Sequence, residues 1–422
     1  MLVELAFGEG QLPVELPEGR TTVVRPDHLP AAADERAAIA AALARPVAGP
    51  RLRELARPGQ KVAVSICDGT RPQPRQLVVP ALLDELVGIV DERDVVLLVA
   101  TGTHRGNTEA ELVAMLGREL YERVEVVNHD ARDDASLVSV GTHGAGVPVW
   151  LNRRWVEADL RITTGFVEPH FFAGFSGGPK LVAPGLAGLE TTLVLHDAAR
   201  IGHPQARWGV IHGNPVHDDV RAIAAATGVD FSLDVVLDGA QRVVRAFAGE
   251  LGPMHEAACE LARRSAMQRV PRRYEVVVTS NAGFPLDQNL YQAVKGISAA
   301  AQVVAPGGTI VCAAECRDGF PDHGPFRDEL AAEATPELLL ARIAAREGTV
   351  PDQWQVQILA GIASRADVVI HTARLEPHEL AEVNLAHTDD VERTVVDALG
   401  AAADDAEVCV LPEGPITIPY VD

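Results

Sequence analysis

The stretch GFVEPHFFAGFSGGPK, residues 165–180, sets one histidine, His170, and one lysine, Lys180, among phenylalanines and small residues. Lysine is scarce in this chain: of 37 basic residues, only Lys61, Lys180 and Lys295 are lysines. A chain so biased toward arginine is expected to keep lysine where a guanidinium cannot serve. The lysine amine can lose its proton and be acylated, whereas arginine stays charged and is a poor nucleophile. Lys61 opens a strand and carries no such expectation, but Lys180 is a candidate for covalent chemistry. The glycine pair before it, Gly177 and Gly178, exposes backbone N–H groups and reads as close approach to a bulky planar ligand attached near Lys180. It is not a Walker A loop, because the spacing differs and Leu181 stands where Ser or Thr would bind magnesium.

Two histidines sit in stiff surroundings. His104 lies in TGTHRGNTE between small hydroxyl residues and Arg105, and His170 lies between a proline and Phe171–Phe172. Rings held in this way suit general acid–base work near neutral pH. Two of them on opposite loops would flank a substrate carbon from both faces, as a racemase requires. Further along, DQNLYQAVKG spaces Gln288, Tyr291, Gln292 and Lys295 so that they share one helical face. Lys295 and Arg71, the latter in CDGTRP, would clamp a carboxylate between two cations.

These loops all follow apolar, β-branched runs. Strands are expected at 61–66, 95–100, 124–128, 160–165, 275–280, 308–314, 367–372 and 407–412, with helices at 75–90, 107–117, 216–228 and 252–270. Continuous apolar strands alternating with helices give an α/β fold with parallel-rich sheets covered by helices. The length of 422 residues favours two domains. A basic, proline-marked turn places the boundary near 272: an N-terminal cofactor-binding domain over 1–272 and a C-terminal domain over 273–406 contributing substrate residues. The proline-rich tail 407–422 is a candidate strap back to the first domain. In open α/β sheets ligands bind beyond the carboxyl ends of the strands, so the active site is expected in the interdomain cleft.

Composition limits the partners. A formal net charge of −22 argues against nucleic acid and anionic membranes, and suits a small anion held in a local basic pocket. No apolar stretch approaches the ~20 residues of a membrane span, and the start lacks a signal-peptide pattern. Five scattered cysteines do not make a disulfide framework, so a soluble cytoplasmic protein is expected. Cys312 and Cys316 lack a second pair for zinc and are expected as buried thiols.

Taken together, DGTRP, ATGTHR, EPHFFAGFSGGPK with a histidine sixteen residues after its lysine, and NLYQAVKG resemble the nickel-dependent lactate racemase family. The resemblance runs over nearly the whole chain in the same order. It implies a cofactor of nickel and pyridinium-3,5-bisthiocarboxylic acid mononucleotide, the nickel-pincer nucleotide, delivered by cofactor-synthesising enzymes. It implies Lys180 as the thioamide attachment point, His196 as the nickel ligand, and His104 and His170 as the acid–base pair. Asp68, Arg71, Gln292 and Lys295 match substrate-contacting positions, and Tyr291 and Trp354 match positions lining the pocket. The implied reaction is racemisation of a 2-hydroxy acid through hydride transfer, with the soft donors suiting planar nickel. His203 and His217 rival His196 along the chain; the spacing favours His196. Other readings remain open from residues alone: a Schiff-base lysine enzyme at Lys180, or a protein that binds a small anion or the nickel cofactor without turnover. A zinc hydrolase would need a compact motif such as H-E-x-x-H, which the sequence lacks.

Overall fold

The computed structural model describes residues 1–321 and 324–421. Twelve strands build two six-stranded sheets. In chain order they are β1 (Thr21–Val23), β2 (Val62–Cys67), β3 (Val95–Ala100), β4 (Glu125–Asn128), β5 (Leu160–Phe166), β6 (Phe231–Leu237), β7 (Val243–Gly249), β8 (Tyr274–Ser280), β9 (Val304–Ala313), β10 (Asp367–His371), β11 (Ala386–His387) and β12 (Val408–Leu411). The chain divides into two compact units. One comprises His28–Leu195 and His203–Arg263; the other comprises Met1–Asp27, His196–Gly202 and Arg264–Asp422.

The first unit holds the sheet ordered β7-β6-β5-β2-β3-β4, parallel except for the β6–β7 pair. Successive strand residues point to opposite faces, and both faces are buried. Val64, Ile66, Leu97 and Val99 pack with Val78, Val79, Leu82 and Leu83 of helix Arg75–Leu86. Ala63, Val96 and Leu98 face the other way, onto Trp155, Val220 and Ile223. Helix Arg75–Leu86 is shorter than the expected 75–90, because Gly88 takes a left-handed φ of 76° and the chain turns there. Helix Pro215–Thr227 begins on Asn214, whose side chain accepts from the N–H groups of Val216 and His217, and stops at Gly228 with φ 77°.

The second unit holds the parallel sheet ordered β11-β10-β9-β8-β12-β1. This division differs from the boundary expected at 272. Residues 1–27 join the C-terminal unit because β1 must pair its backbone, and it does so with β12 (Thr21 opposite Val408). The tail stays in that unit too: β12 lies inside the sheet, and Ile418–Tyr420 pairs in parallel with Met267–Arg269. Asp422, the last residue of the expected strap, lies outside the described residues. The segment His196–Gly202 also belongs here, since Gln357 Nε2 donates to Ala198 O at 2.8 Å and the His196 ring packs on Trp354.

β6 and β7 were not among the expected strands. FSLDVVL carries an aspartate, Asp234, in the middle of its apolar run, which breaks the usual pattern of a buried strand.

Candidate active site

In the first unit, Asp68 follows β2 and is 3% exposed. Its Oδ2 accepts from His104 Nδ1 at 2.8 Å, and its Oδ1 accepts from Thr70 Oγ1 at 2.8 Å. Burial by itself would raise the Asp68 carboxyl. The His104 hydrogen bond and charge, with the nearby Arg71 and Thr70, nevertheless hold it below its ordinary value. An ionised carboxylate at Nδ1 keeps that proton in place and leaves Nε2 of neutral His104 as a lone-pair acceptor. The His104 side chain is 48% exposed.

Two residues with no expected role hold this loop. Buried Arg75 donates from Nε to Cys67 O and from its terminal nitrogens to Gln73 O and Arg71 O, each at 3.0 Å, and also to Asp68 O. Gln73 accepts from Cys67 N and donates to Thr164 O, both at 2.9 Å. Arg71 itself is exposed beside Asp68. The His104 loop is anchored through Thr101, whose Oγ1 donates to His129 O at 2.6 Å. Arg105, next to His104 in the chain, forks onto Glu111 at 2.7 and 2.9 Å.

His170 pairs in a short antiparallel bridge with Gly174. Its ring stacks on Phe171 (centroids 5.0 Å) and meets Phe172 edge-on (4.5 Å). Its Nδ1 accepts from the N–H groups of Ala173 at 3.3 Å and Phe172 at 3.5 Å. Those two donors place the proton of the neutral ring on Nε2. The two histidines therefore differ: His104 presents an acceptor at Nε2, and His170 presents a donor. Lys180 sits on the 3-10 turn Gly178–Leu181, with Nζ 5.5 Å from the centre of the Phe172 ring.

Gly177 and Gly178 both have positive φ, 71° and 51°. A Cβ at Gly177 would lie 2.7 Å from Asp234 Oδ2, and one at Gly178 would lie 2.5 Å from the His255 ring. The space freed by these glycines is filled by protein. That is the physical reason for the pair, in place of the ligand approach expected from the sequence.

In the second unit, the His196 ring, buried at 7% exposure, lies 4.7 Å from Trp354. Trp354 Nε1 donates to Tyr291 Oη at 3.2 Å, and Gln355 Nε2 donates to Tyr291 O at 2.5 Å. Tyr291 lies in the first turn of the helix Leu290–Ala300, capped by Asn289, which accepts from Gln292 N at 3.0 Å. One turn on, Lys295 Nζ donates to Gln292 Oε1 at 2.8 Å, which orients the amide and leaves its NH2 as a donor. Gln288 falls before the helix, so it does not share the expected face.

The comparisons with known proteins agree in one direction. The model of the lactate racemase N-terminal domain matches residues 7–209, and that of the lactate racemase C-terminal domain matches residues 270–418. The chain belongs to the lactate racemase family.

A lactate racemase of Thermoanaerobacterium thermosaccharolyticum is 34% identical over 417 residues, 98% of this chain and 97% of that protein. One from Lactiplantibacillus plantarum is 34% identical over 382 residues, 90% of each chain. The structure of the lactate racemase apoprotein from T. thermosaccharolyticum superposes with a TM-score of 0.94, covering 99% of this chain and 100% of that one, at 34% identity. A crystal structure of a Thermotoga maritima protein, 21% identical with a TM-score of 0.65, covers 88% of this chain and 96% of that one and shares the fold. This member of the racemase family is an isomerase.

Within the racemase, the structure brings together Asp68 with His104, His170 with Phe172 and Lys180, and His196 with Trp354 and Tyr291. It separates the rivals of His196. His203 is exposed, and its Nδ1 accepts from Gln205 N at 3.2 Å. His217 is buried with Nδ1 on Ala173 O at 3.1 Å and its ring stacked 5.5 Å from His255. All five cysteines are free and buried. No helix among the described residues is long and apolar enough to cross a membrane. Arg75, Gln73, Asp234 and His255 were not singled out from the sequence. Asp234 alone left a signal there, a charge inside an apolar strand.

Proposed function

We propose that this racemase inverts the hydroxyl-bearing carbon of a 2-hydroxy acid, with lactate the first candidate, using a nickel-pincer nucleotide attached to Lys180 and ligated by His196. The observation that carries the reading is the His104–Asp68 dyad together with a second, oppositely tautomeric histidine in the same unit, in a chain of this family. The residues suit the group. Lys180 offers a primary amine beside the aromatic face of Phe172, and His196 offers an imidazole, a donor that nickel accepts. When bound, the nucleotide supplies the hydride acceptor that no amino-acid side chain provides.

The chain's own residues do the rest. His104 takes the hydroxyl proton at Nε2, and the Asp68 carboxylate meets the positive charge that the ring then carries. His170 is the second member of the acid–base pair: its neutral ring donates a hydrogen bond from Nε2–H to the substrate oxygen, and a proton is returned only from an imidazolium, as from His104 once it has taken the hydroxyl proton. Arg71 in the first unit and Lys295 in the second are the cations offered to a carboxylate, with the Gln292 amide as a neutral donor. The exposed His104 face and the Phe171–Phe172 wall set a polar and an apolar side for the substrate.

The test is intact mass and nickel content of protein co-produced with the cofactor-synthesising enzymes, beside Lys180→Ala, followed by polarimetry on lactate enantiomers. A nucleotide-sized mass increase, about one nickel per chain and loss of optical rotation support the reading. An unmodified, nickel-free chain from cells that load a known racemase overturns it and favours a Schiff-base enzyme or a binding protein.

A further inference from the structure

We propose that Asp234 is a positioning residue for Lys180: its buried carboxylate grips the backbone of Gly178 and so fixes the turn that presents the amine. Asp234 lies in the middle of β6 at 0% exposure, between Leu233 and Val235 of the apolar core. Its Oδ2 accepts from Gly178 N at 2.7 Å. Gly165 N–H also lies toward the carboxylate, but Oδ1 has no partner of hydrogen-bonding geometry. The groups that act on it favourably are backbone N–H groups, with no cation among them.

A buried carboxylate without a cation is a poor way to stabilise a fold. Burial pushes this one up to about 6. Such a group calls for a role, and its one strong contact is with the first residue of the Gly178–Leu181 turn. The other end of the turn is held in the same manner. Buried Ser65 on β2 donates its hydroxyl to Leu181 O at 2.7 Å, and Gly185 N donates to Lys180 O at 3.1 Å. His255, whose Nε2 meets Ser176 O at 2.9 Å, covers Gly178 from the helix Leu251–Ala266. Only glycine at 177 and 178 lets Asp234 and His255 come this close. The turn is thus clamped by two strands and a helix, and the backbone of Lys180 is held between them.

The inference rests on the reading of Lys180 as the attachment point, and its test separates the two. Full-length apoprotein, wild type, Asp234→Ala and Asp234→Asn, is treated briefly with N-hydroxysuccinimidyl acetate. Acetylation at Lys61, Lys180 and Lys295 is then read by peptide mass spectrometry. Asp234→Asn keeps a neutral acceptor and is expected to hold the wild-type Lys180:Lys61 ratio. Asp234→Ala frees the turn and is expected to raise that ratio about fivefold through local opening. In cells making the nucleotide, the adduct fraction falls about threefold in Asp234→Ala, because the amine is no longer held in place, and it is kept in Asp234→Asn. A wild-type ratio in Asp234→Ala, or equal changes in both variants, overturns the proposal. If wild type takes no adduct, the attachment reading fails while the acetylation ratio still decides the role of Asp234. Should Asp234→Ala melt well below wild type, Asp234→Val, better suited to a strand interior, replaces it.

Discussion

Lowering the pH from 7 to 5 is expected to weaken the first unit by roughly 2–3 kcal/mol, through three buried groups that surround the Lys180 turn. Burial pulls His255 down to about 4; burial first, and then the neighbouring His255, pull His217 down to about 3, against an ordinary 6.5. Both are nearly unexposed, at 3% and 2%. In this window the unfolded chain binds the protons that the folded chain refuses, so stability is full above pH 6.5 and is lost as pH falls. At about 1.36 kcal/mol per pH unit, each histidine costs about 2 kcal/mol between pH 7 and 5. Asp234 works in the opposite sense. Its folded value of about 6 lies above the ordinary 3.8, so the folded form gains protons first. That recovers about 1 kcal/mol over the same interval. The net loss is roughly 2–3 kcal/mol in wild type and about 4 kcal/mol in Asp234→Asn, which lacks the compensating carboxyl. Urea denaturation followed by tryptophan fluorescence checks this in a Trp354→Phe background, where Trp150, Trp155 and Trp208 all report on the first unit. Equal stability at the two pH values, or the same pH difference with and without Asp234, would refute the reasoning.

Other outcomes follow from the same geometry. Asp68→Asn leaves the loop held by Arg75 and Gln73, so the melting temperature stays close to wild type. Steady-state polarimetry should nonetheless show kcat lowered about 10²–10⁴-fold, because His104 loses the carboxylate that keeps its tautomer. Arg75→Ala strands the buried carbonyls of Cys67, Asp68 and Gln73, and that of Arg71 at the surface. It is expected to destabilise by about 3 kcal/mol or more in urea titrations; an unchanged midpoint would count against the clamp. Lys180→Arg keeps the positive charge but cannot be acylated, so intact mass should show no nucleotide adduct. Trp354→Ala removes the face on which His196 rests, and nickel in the loaded protein should then dialyse away faster than in wild type.

Much of this protein was settled by the sequence on its own. Short apolar strands such as VVLLVA and KVAVSI can only be buried on both faces, so a parallel α/β architecture follows from local composition and period. Reactive residue types could be named in the same way: a lysine behind a glycine pair and histidines beside proline and aromatics stand out by type alone, and the roles proposed for them await loading and turnover measurements. Tertiary structure decided what depends on distant partners. The placement of residues 1–27 and 196–202 with the C-terminal unit comes from the pairing of Thr21–Val23 with Val408–Val410 and from His196 resting on Trp354, contacts that leave no local trace. The glycines before Lys180 looked from the sequence like room for a ligand. The fold fills that room with Asp234 and His255, because only the three-dimensional arrangement brings β6 and the helix Leu251–Ala266 against that turn. Local pattern specifies elements and reactive groups; long-range packing specifies which buried side chains hold them in place.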